Sequence, residues 1–301
     1  MQATNLLAQR FQQQVDFFLD LTTDHGRTLQ WLRNNNLLPS QRTCCNQVCS
    51  ISINNERIDG QMFHCLRCRR KYNIRSGTRW RRFRRVPFIL IVRIIFYYFT
   101  NQYSARRTSE TLRAIHVGIG YTIVKRIYSE AREAIASYML LEVYWTPLRG
   151  RIQIDEALFT HRAGPGRRGL RQVWVVGMIE ERSSEAFCFV VRERNSRTIN
   201  HLITTHCLQG SYIIHDGWRA YARIPNTYRH HRYVHHNNDP DNTSRIEGVW
   251  GELRAFMRNI YSGRIVETNI RSLIQELVFR RRCREMDADI HEEIIYALSN
   301  Y

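Results

Sequence analysis

The spacing of apolar residues along the chain changes near Pro147. From Val86 to Met139 apolar positions recur at helical spacing, with breaks near Ser104 and at the turn Gly118–Gly120. Beyond Pro147 the apolar residues are often β-branched and fall into short runs, which predicts strands. The predicted strands are Arg151–Phe159, Gln172–Glu180, Ala186–Arg192 and Tyr212–His215, with a helix at Ser196–Cys207 before the last. This order predicts an α/β or α+β domain that begins near residue 149.

Helical patterns also flank this domain. Residues 1–35 are predicted to form one or two short helices, and Ser244–Arg258 and Glu267–Arg284 are predicted to be helical. The histidine-rich stretch His230–His236 is interpreted as a strand that leads to the first of these two helices. A metal site there is disfavoured because neither cysteine nor carboxylate completes a tetrahedral set nearby.

The longest apolar run does not have the properties of a membrane span. Val86–Phe99 is 14 residues long and includes Arg93, whereas a hydrocarbon core of ~30 Å needs about 20 apolar residues. A buried helix is predicted instead. The first 20 residues do not resemble a signal peptide, so an intracellular protein is expected, nuclear in a eukaryote and cytoplasmic in a bacterium.

The net charge of the chain indicates which class of molecule the protein binds. The formal net charge is +18, and of the 45 basic residues only Lys71 and Lys125 are lysine. The positive charge is spread along the chain and is carried almost entirely by arginine, whose planar guanidinium makes bidentate phosphate contacts. A polyanionic partner is the simplest interpretation, and double-stranded DNA is the one expected.

Five of the eight cysteines lie in residues 44–75. Cys45 and Cys49 form one pair and Cys65 and Cys68 a second, at a spacing typical of four thiolates around a tetrahedral Zn²⁺ ion. An intracellular location disfavours the alternative of disulfides. Cys44 could replace Cys45, and His64 is adjacent to a predicted ligand. The remaining cysteines, Cys188, Cys207 and Cys283, are predicted to be core residues.

Two basic segments are candidates for DNA contact. The run from Arg79 to Arg85 interleaves arginine with Trp80 and Phe83, a composition suited to phosphate contact with aromatic anchoring. Ser104–Glu133 has the pattern of a helix, a turn and a helix with a basic face, although a packed helical hairpin fits the spacing equally well. The predicted contacts are Arg81, Arg82, Arg84, Arg85, Arg106, Arg107, Lys125 and Arg126.

Three carboxylates form a candidate catalytic set. Asp155 lies within the first predicted strand, where a carboxylate is costly unless a cation or donor accompanies it. Asp216 follows the fourth strand just before a glycine, and Glu247 lies on the later helix. Arg254 is two helical turns beyond Glu247, on the same face, and is predicted to contact the DNA backbone.

Such a set suits attack on a phosphodiester. Carboxylate oxygens are the ligands that Mg²⁺ prefers, and phosphoryl attack by water or a 3′-hydroxyl uses divalent ions such as Mg²⁺ or Mn²⁺. Glu252 is an alternative third member. Glu156 is another, but it is predicted to point to the opposite side of the strand from Asp155.

At these residues the chain resembles the transposases of the Merlin superfamily of eukaryotic DNA transposons and their bacterial insertion-sequence relatives. The resemblance covers roughly residues 42–285. It is carried by the cysteine pairs with the following Ser-Gly-Thr, by Ile-Asp-Glu at 154–156, by residues 174–177, by His-Asp-Gly-Trp-Arg-Ala-Tyr at 215–221, and by Ile-Glu-Gly-x-Trp at 246–250 with a basic residue at 254.

The resemblance implies a multidomain α+β protein that transposes DNA by cutting and pasting at terminal inverted repeats. It implies a homo-oligomer, at least a dimer, on paired transposon ends, acting on those ends and on target DNA. A domesticated, non-catalytic DNA-binding protein is the alternative, and a host nuclease is a third interpretation. The expected segments are N-terminal helices at 1–40, a zinc ribbon at 41–78, a helix-turn-helix-like DNA-binding segment at 79–148, an RNase H-like catalytic domain at 149–285 and a C-terminal helix at 286–301.

Overall fold

A computed structural model describes residues 12–13, 15–101, 104–114, 118–162, 170–233, 241–261 and 267–301. The chain divides into two compact units. The first comprises Met1–Ala131 with Ile294–Asn300, and the second comprises Arg132–Glu293 with Tyr301. Predicted residues His235 and His236 lie outside the described part of the chain.

The first unit combines short helices with two small sheets. Strands β1 and β2 pair antiparallel, and β3, β4 and β5 form a second antiparallel sheet in that order. The elements are α1 (residues 15–21), α2 (His25–Asn34), β1 (Thr43–Cys44), β2 (Gln47–Val48), β3 (Ser50–Ile53), β4 (Gln61–His64), β5 (Lys71–Asn73), a 3-10 helix (Arg79–Phe83), α3 (Phe88–Asn101), α4 (Ala105–Ala114) and α5 (Tyr121–Leu141).

A buried ion pair joins the small sheet to the segment that follows it. Arg75 and Asp59 are 1% and 2% exposed, and two guanidinium nitrogens of Arg75 donate to the carboxylate at 2.6 and 2.5 Å. The same guanidinium donates to the carbonyls of Phe83 and Val86 and lies 4.1 Å from the centre of the Phe88 ring. Every partner that a buried guanidinium requires is thus supplied by nearby chain.

The predicted helical region folds as expected. Helices α3, α4 and α5 are separated where Ser104 and Gly118–Gly120 predict breaks. Tyr128 of α5 stacks on Tyr98 of α3 at 3.8 Å and shares a hydrogen bond with Thr108 of α4, so the three helices pack together. Among the described residues, no helix is both long and apolar enough to cross a membrane.

The second unit is built on a mixed five-stranded sheet. Its strands lie in the order β10-β9-β6-β7-β8, with β7 antiparallel to β6 and β8, and β9 parallel to both β6 and β10. The elements are β6 (Arg151–Arg162), β7 (Leu170–Glu180), β8 (Ala186–Val191), α6 (Ser196–His206), β9 (Tyr212–His215), β10 (Arg229–Arg232), α7 (Ser244–Tyr261) and α8 (Glu267–Glu285). The last helix, α9 (Ile290–Asn300), begins in this unit, and its residues from Ile294 on belong to the first unit.

These bounds agree with the sequence pattern, with one informative difference. β6 and β7 extend three and two residues beyond the predicted strands, so that Thr160–Arg162 pair with residues 170–172. Backbone hydrogen bonds hold this polar extension together, and apolar alternation therefore does not reveal it. The first three residues of the predicted histidine-rich strand, His230–Arg232, lie in β10 (Arg229–Arg232), which ends before Tyr233.

We expect Asp59→Asn to destabilise the first unit by about 3–5 kcal/mol, because it leaves the Arg75 guanidinium buried without a counter-charge. Urea unfolding followed by tryptophan fluorescence measures the change. Asp20→Asn is the matched control, since Asp20 pairs with Arg27 on the surface, where both side chains are more than half exposed and such pairs contribute about 0–1 kcal/mol. Equal losses in the two variants would contradict a central role for the buried pair.

Candidate active site and metal centre

Four thiols meet at the edge of the first unit. The Sγ atoms of Cys44, Cys45, Cys65 and Cys68 all lie within 4.8 Å of one another. The first two lie at the β1–β2 turn and the other two follow β4. Four convergent thiols on two short loops are the donor set that a structural Zn²⁺ ion uses.

The cluster differs from the predicted ligand set at one position. Cys44 belongs to it and Cys49 does not, although the thiol of Cys49 hydrogen-bonds with that of Cys65. The reason is local backbone geometry: Cys45 and Asn46 adopt positive φ angles of 52° and 60°, which makes the turn so tight that adjacent cysteines both face the second pair. Cys49 lies beyond β2, is 4% exposed, and is held by the hydrogen bond from its amide to the carbonyl of Arg42.

The thiols do not titrate independently. The backbone amide of Cys68 is the main cause that lowers the pKa of the Cys65 thiol to about 6. Hydrogen bonds with the thiols of Cys68 and Cys44 raise the pKa of Cys45 to about 12. Cys65 therefore favours the thiolate while Cys45 is held neutral, and a divalent cation at the centre would stabilise both as thiolates. The donor set fits zinc.

The second unit brings the three predicted carboxylates to one cleft. Asp155, Asp216 and Glu247 line a cleft of about 570 Å³ together with Thr243, Trp250 and Arg254. The parallel register of β6 and β9 explains why the two aspartates are close. The last pair of this register is Gln153 with Ile214; Asp155 lies two residues further along β6, and Asp216 lies two residues further along the chain, just after β9.

The start of helix α7 is fixed to the sheet by a buried glutamine. The Oε1 atom of Gln153, on the same face of β6 as Asp155, accepts from the backbone amides of Arg245 and Ile246 at 2.9 and 3.2 Å. Helix N-termini leave such amides unpaired, so this side chain serves as a cap supplied from another element. Glu247, in the first turn of α7, is thereby held above β6, and Thr243 donates to its carboxylate at 2.9 Å.

Trp250 attaches the next turn of α7 to Asp155. Its indole Nε1 donates to Oδ2 of Asp155 at 2.9 Å, and the ring is 3% exposed. The indole fits because Gly177 of β7 lies opposite Asp155 in the ladder: a Cβ atom at residue 177 would overlap the Trp250 ring and approach Cδ1 of Ile246 to 2.7 Å. A glycine in the strand therefore allows the close approach of the helix.

Asp216 is oriented by the turn that follows β9. Gly217 has a φ of +84°, which favours glycine, and its amide donates to Nδ1 of His215 at 3.0 Å. Since Nδ1 of His215 accepts, Nε2 carries the proton and donates to His230 on β10 at 3.1 Å. Burial, with the charge of His230, lowers the pKa of His215 to about 4, so a neutral ring holds the turn.

The cleft brings the carboxylates of Asp155, Asp216 and Glu247 close to one another. Burial is the main cause that raises the pKa of Asp155, and the charges of Asp216 and Glu247 raise it further. Asp216 and Glu247 are themselves exposed to solvent. Oxygen ligands crowded at one end of a sheet, one of them partly buried, fit a divalent cation such as Mg²⁺ or Mn²⁺.

Both alternative glutamates have other partners. Glu156 also borders the cleft but points to the other face of β6, where the hydroxyl of Tyr221 donates to it; burial raises its pKa to about 7. Glu252 pairs with Arg281 and Arg284 of α8 at 2.7 and 3.2 Å and does not line the cleft. Glu247 lines the cleft together with Asp155 and Asp216, whereas Glu252 does not.

The sequence of this unit matches a known family. Residues 147–282, which include all five strands of the sheet and most of α8, match the model of the ISXO2-like transposase domain. This segment, 136 of the 301 residues, is similar to the DDE transposase domains of bacterial insertion sequences. No curated protein matches the chain significantly.

Two solved structures show distant similarity to the chain. One is a chain of the simian T-cell lymphotropic virus intasome in complex with PP2A regulatory subunit B56 gamma, at 16% identity and a TM-score of 0.33, covering 60% of this chain and 66% of that one. The other is the HTLV-2 integrase catalytic core domain in complex with magnesium, at 10% identity and a TM-score of 0.29, covering 44% and 84%. At these scores neither similarity bears on the function of the transposase domain.

The basic residues that were predicted to contact DNA lie in different environments. Arg254 borders the carboxylate cleft with its guanidinium 5.5 Å from the centre of the Phe159 ring. Arg82 pairs with Glu130 at 2.6 Å. The remaining predicted contacts have exposed side chains on the 3-10 helix and the segment after it, on α4 or on α5: Arg81, Arg84, Arg85, Arg106, Arg107, Lys125 and Arg126.

Sequence reasoning missed the residues that position the carboxylates. Gln153 lies two residues before Asp155, so both side chains point to the same face of β6. A polar side chain in an otherwise apolar strand could have indicated this role. The pairing of Gly177 with Asp155 required the β6–β7 register, which the sequence does not specify.

We expect Cys44→Ser to lower the zinc content of the purified protein well below that of wild type, because it removes one of four clustered thiols, whereas Cys49→Ser should retain wild-type zinc. Metal content per chain, measured by atomic emission, distinguishes the two. Loss of zinc from Cys49→Ser with retention in Cys44→Ser would show that the ligand set predicted from the sequence spacing was right after all.

Proposed function

We propose that the protein is a divalent-metal-dependent DNA transposase of the Merlin type, which cleaves and joins DNA strands at terminal inverted repeats. The observation that carries the proposal is the convergence of Asp155, Asp216 and Glu247 on one cleft within a DDE transposase domain. The sheet order supports an RNase H-like catalytic core: three antiparallel strands are followed by two parallel strands on the far side of the first.

The three carboxylates would hold the metal ions in this proposal. Bound divalent ions supply an activated nucleophilic oxygen and stabilise the leaving oxygen of the phosphodiester. The residues of the chain hold the geometry: the Trp250 indole donates to Asp155, the Thr243 hydroxyl to Glu247, and the backbone amide of Trp218 to Asp216. Arg254, at the same cleft, is placed to contact a phosphate beside the one that reacts.

Other parts of the chain have supporting roles in the proposal. The four-thiol cluster with bound Zn²⁺ forms a ribbon, and the basic run and helices α4 and α5 contact transposon ends. Double-stranded DNA, both transposon end and target, is the substrate. A homo-oligomer of at least two subunits would pair two ends, in the nucleus if the host is a eukaryote.

We expect Asp155→Asn and Asp216→Asn each to reduce strand cleavage on the order of 10³-fold, because each removes an anionic ligand from the site of the ions that stabilise developing charge, while DNA affinity stays close to that of wild type. Cleavage is measured on a labelled duplex that carries the inverted repeat read from the DNA flanking the gene.

The matched control is Asp287→Asn. Asp287 is an exposed residue after α8, and asparagine tolerates its φ of 52°. Cleavage at the wild-type rate by either active-site variant would refute the assignment, and a wild-type protein that binds ends without cutting them would favour the domesticated alternative.

Glu247→Gln and Glu252→Gln separate the two candidates for the third carboxylate. The first should abolish cleavage. The second should retain it, because the Glu252 carboxylate is engaged by two arginines away from the cleft, and its loss should lower stability by about 0–1 kcal/mol. The same assay with thermal unfolding measures both effects, and the reverse pattern of activity would assign the role to Glu252.

A further inference from the structure

A basic cavity lies on the first unit, apart from the carboxylate cleft. Its volume is about 670 Å³, and it is bordered by the β3–β4 turn, by β5 and by the basic run after Thr78. Five cationic side chains line it: Arg42, Arg57, Lys71, Arg81 and Arg84. The sequence pattern singled out only the last two, because the other three come together only when the small sheet forms.

The positive charge of this cavity is not neutralised by neighbouring acids. Among the described residues, none of the five cations forms a salt bridge, and Glu56 is the one acidic residue of the lining. Arg75 also borders the cavity, but its charge is balanced by Asp59. Five cations around one cavity create a positive potential that attracts anions.

One of these cations is already held in place. The guanidinium of Arg42 lies 4.1 Å from the centre of the Tyr72 ring, and its buried Nε has no hydrogen-bond partner among the described residues. The hydroxyl of Tyr72 is 3.0 Å from the thiol of Cys44. The thiol cluster therefore positions the aromatic ring on which Arg42 stacks, so that little side-chain entropy is lost when a ligand binds.

We propose that this cavity binds phosphate groups of the DNA backbone, and that Arg42, Arg57 and Lys71 join Arg81 and Arg84 of the basic run in one phosphate-binding site. This inference rests on the proposed function for the identity of the polyanion. Guanidinium groups make bidentate bonds to phosphate oxygens, and the flat amide side chains of Asn54 and Asn73 at the same lining offer further hydrogen-bonding groups. Contacts of this kind position DNA without reading its sequence.

The test compares two triple variants that change net charge equally. The cavity variant is Arg42→Gln, Arg57→Gln and Lys71→Gln. The control variant is Arg182→Gln, Arg197→Gln and Arg223→Gln, three exposed arginines of the second unit that do not line the cavity. Fluorescence anisotropy with a labelled 20-base-pair duplex, without divalent ions, gives the affinity at several salt concentrations. Zinc content and unfolding by urea show that both variants are folded.

We expect the cavity variant to bind at least about 30-fold more weakly than wild type at moderate salt, and the slope of log affinity against log salt to fall by about 2–3, since each phosphate contact contributes about 0.9 to that slope. The control variant should change the slope by less than about 1. Equal effects of the two triple variants, or unchanged binding by a folded cavity variant, would overturn the proposal.

The same assay keeps this inference distinct from the catalytic proposal. Binding is measured without divalent ions, so that it does not depend on cleavage, and Asp155→Asn should bind as wild type does. Persistent cleavage by the aspartate variants would defeat the catalytic assignment and leave the binding result unaffected. Failure of the cavity variant to lose affinity would defeat this inference alone.

Discussion

The hydrogen bond from the Trp250 indole to Asp155 is the contact on which the geometry of the carboxylate cleft depends. It joins the one helix that carries Glu247 to the strand that carries Asp155. The indole reaches the sheet only because residue 177 has no side chain. Gln153 fixes the same helix at its first turn. Two attachments, one turn apart, thus determine where the third carboxylate lies relative to the first.

Both candidate metal sites are groups of like donors that a bound divalent cation would hold together. In the cleft, burial and two neighbouring charges raise the pKa of Asp155. In the thiol cluster, hydrogen bonding holds Cys45 protonated while Cys65 favours the thiolate. The buried pair of Arg75 and Asp59 shows the opposite arrangement, because there the chain itself supplies every partner. A charged group whose partners are all supplied by the protein has a structural role, whereas a group of donors without a counter-charge is suited to bind an ion.

Much of the fold was predictable because its elements have strong local patterns. The strand Tyr212–His215 and the start of α7 at Ser244 agree with prediction to the residue, since apolar alternation and helical spacing are properties of short windows. The extension of β6 was not predictable, because backbone pairing holds it. Cys44 could not be ranked above Cys49, since the choice depends on positive φ angles at Cys45 and Asn46. The pairing of Glu252 with two arginines of α8 could not be predicted either, because it depends on how α7 and α8 pack.

The most direct test of the account is the position of a divalent ion in crystals of the protein grown with Mn²⁺. Anomalous scattering locates the ion without reference to any assumed ligand. The account predicts an anomalous peak within about 2–2.6 Å of carboxylate oxygens of Asp155, Asp216 and Glu247, with the Trp250 to Asp155 hydrogen bond retained. A peak at Glu252, or no peak in the cleft at saturating Mn²⁺, would contradict it.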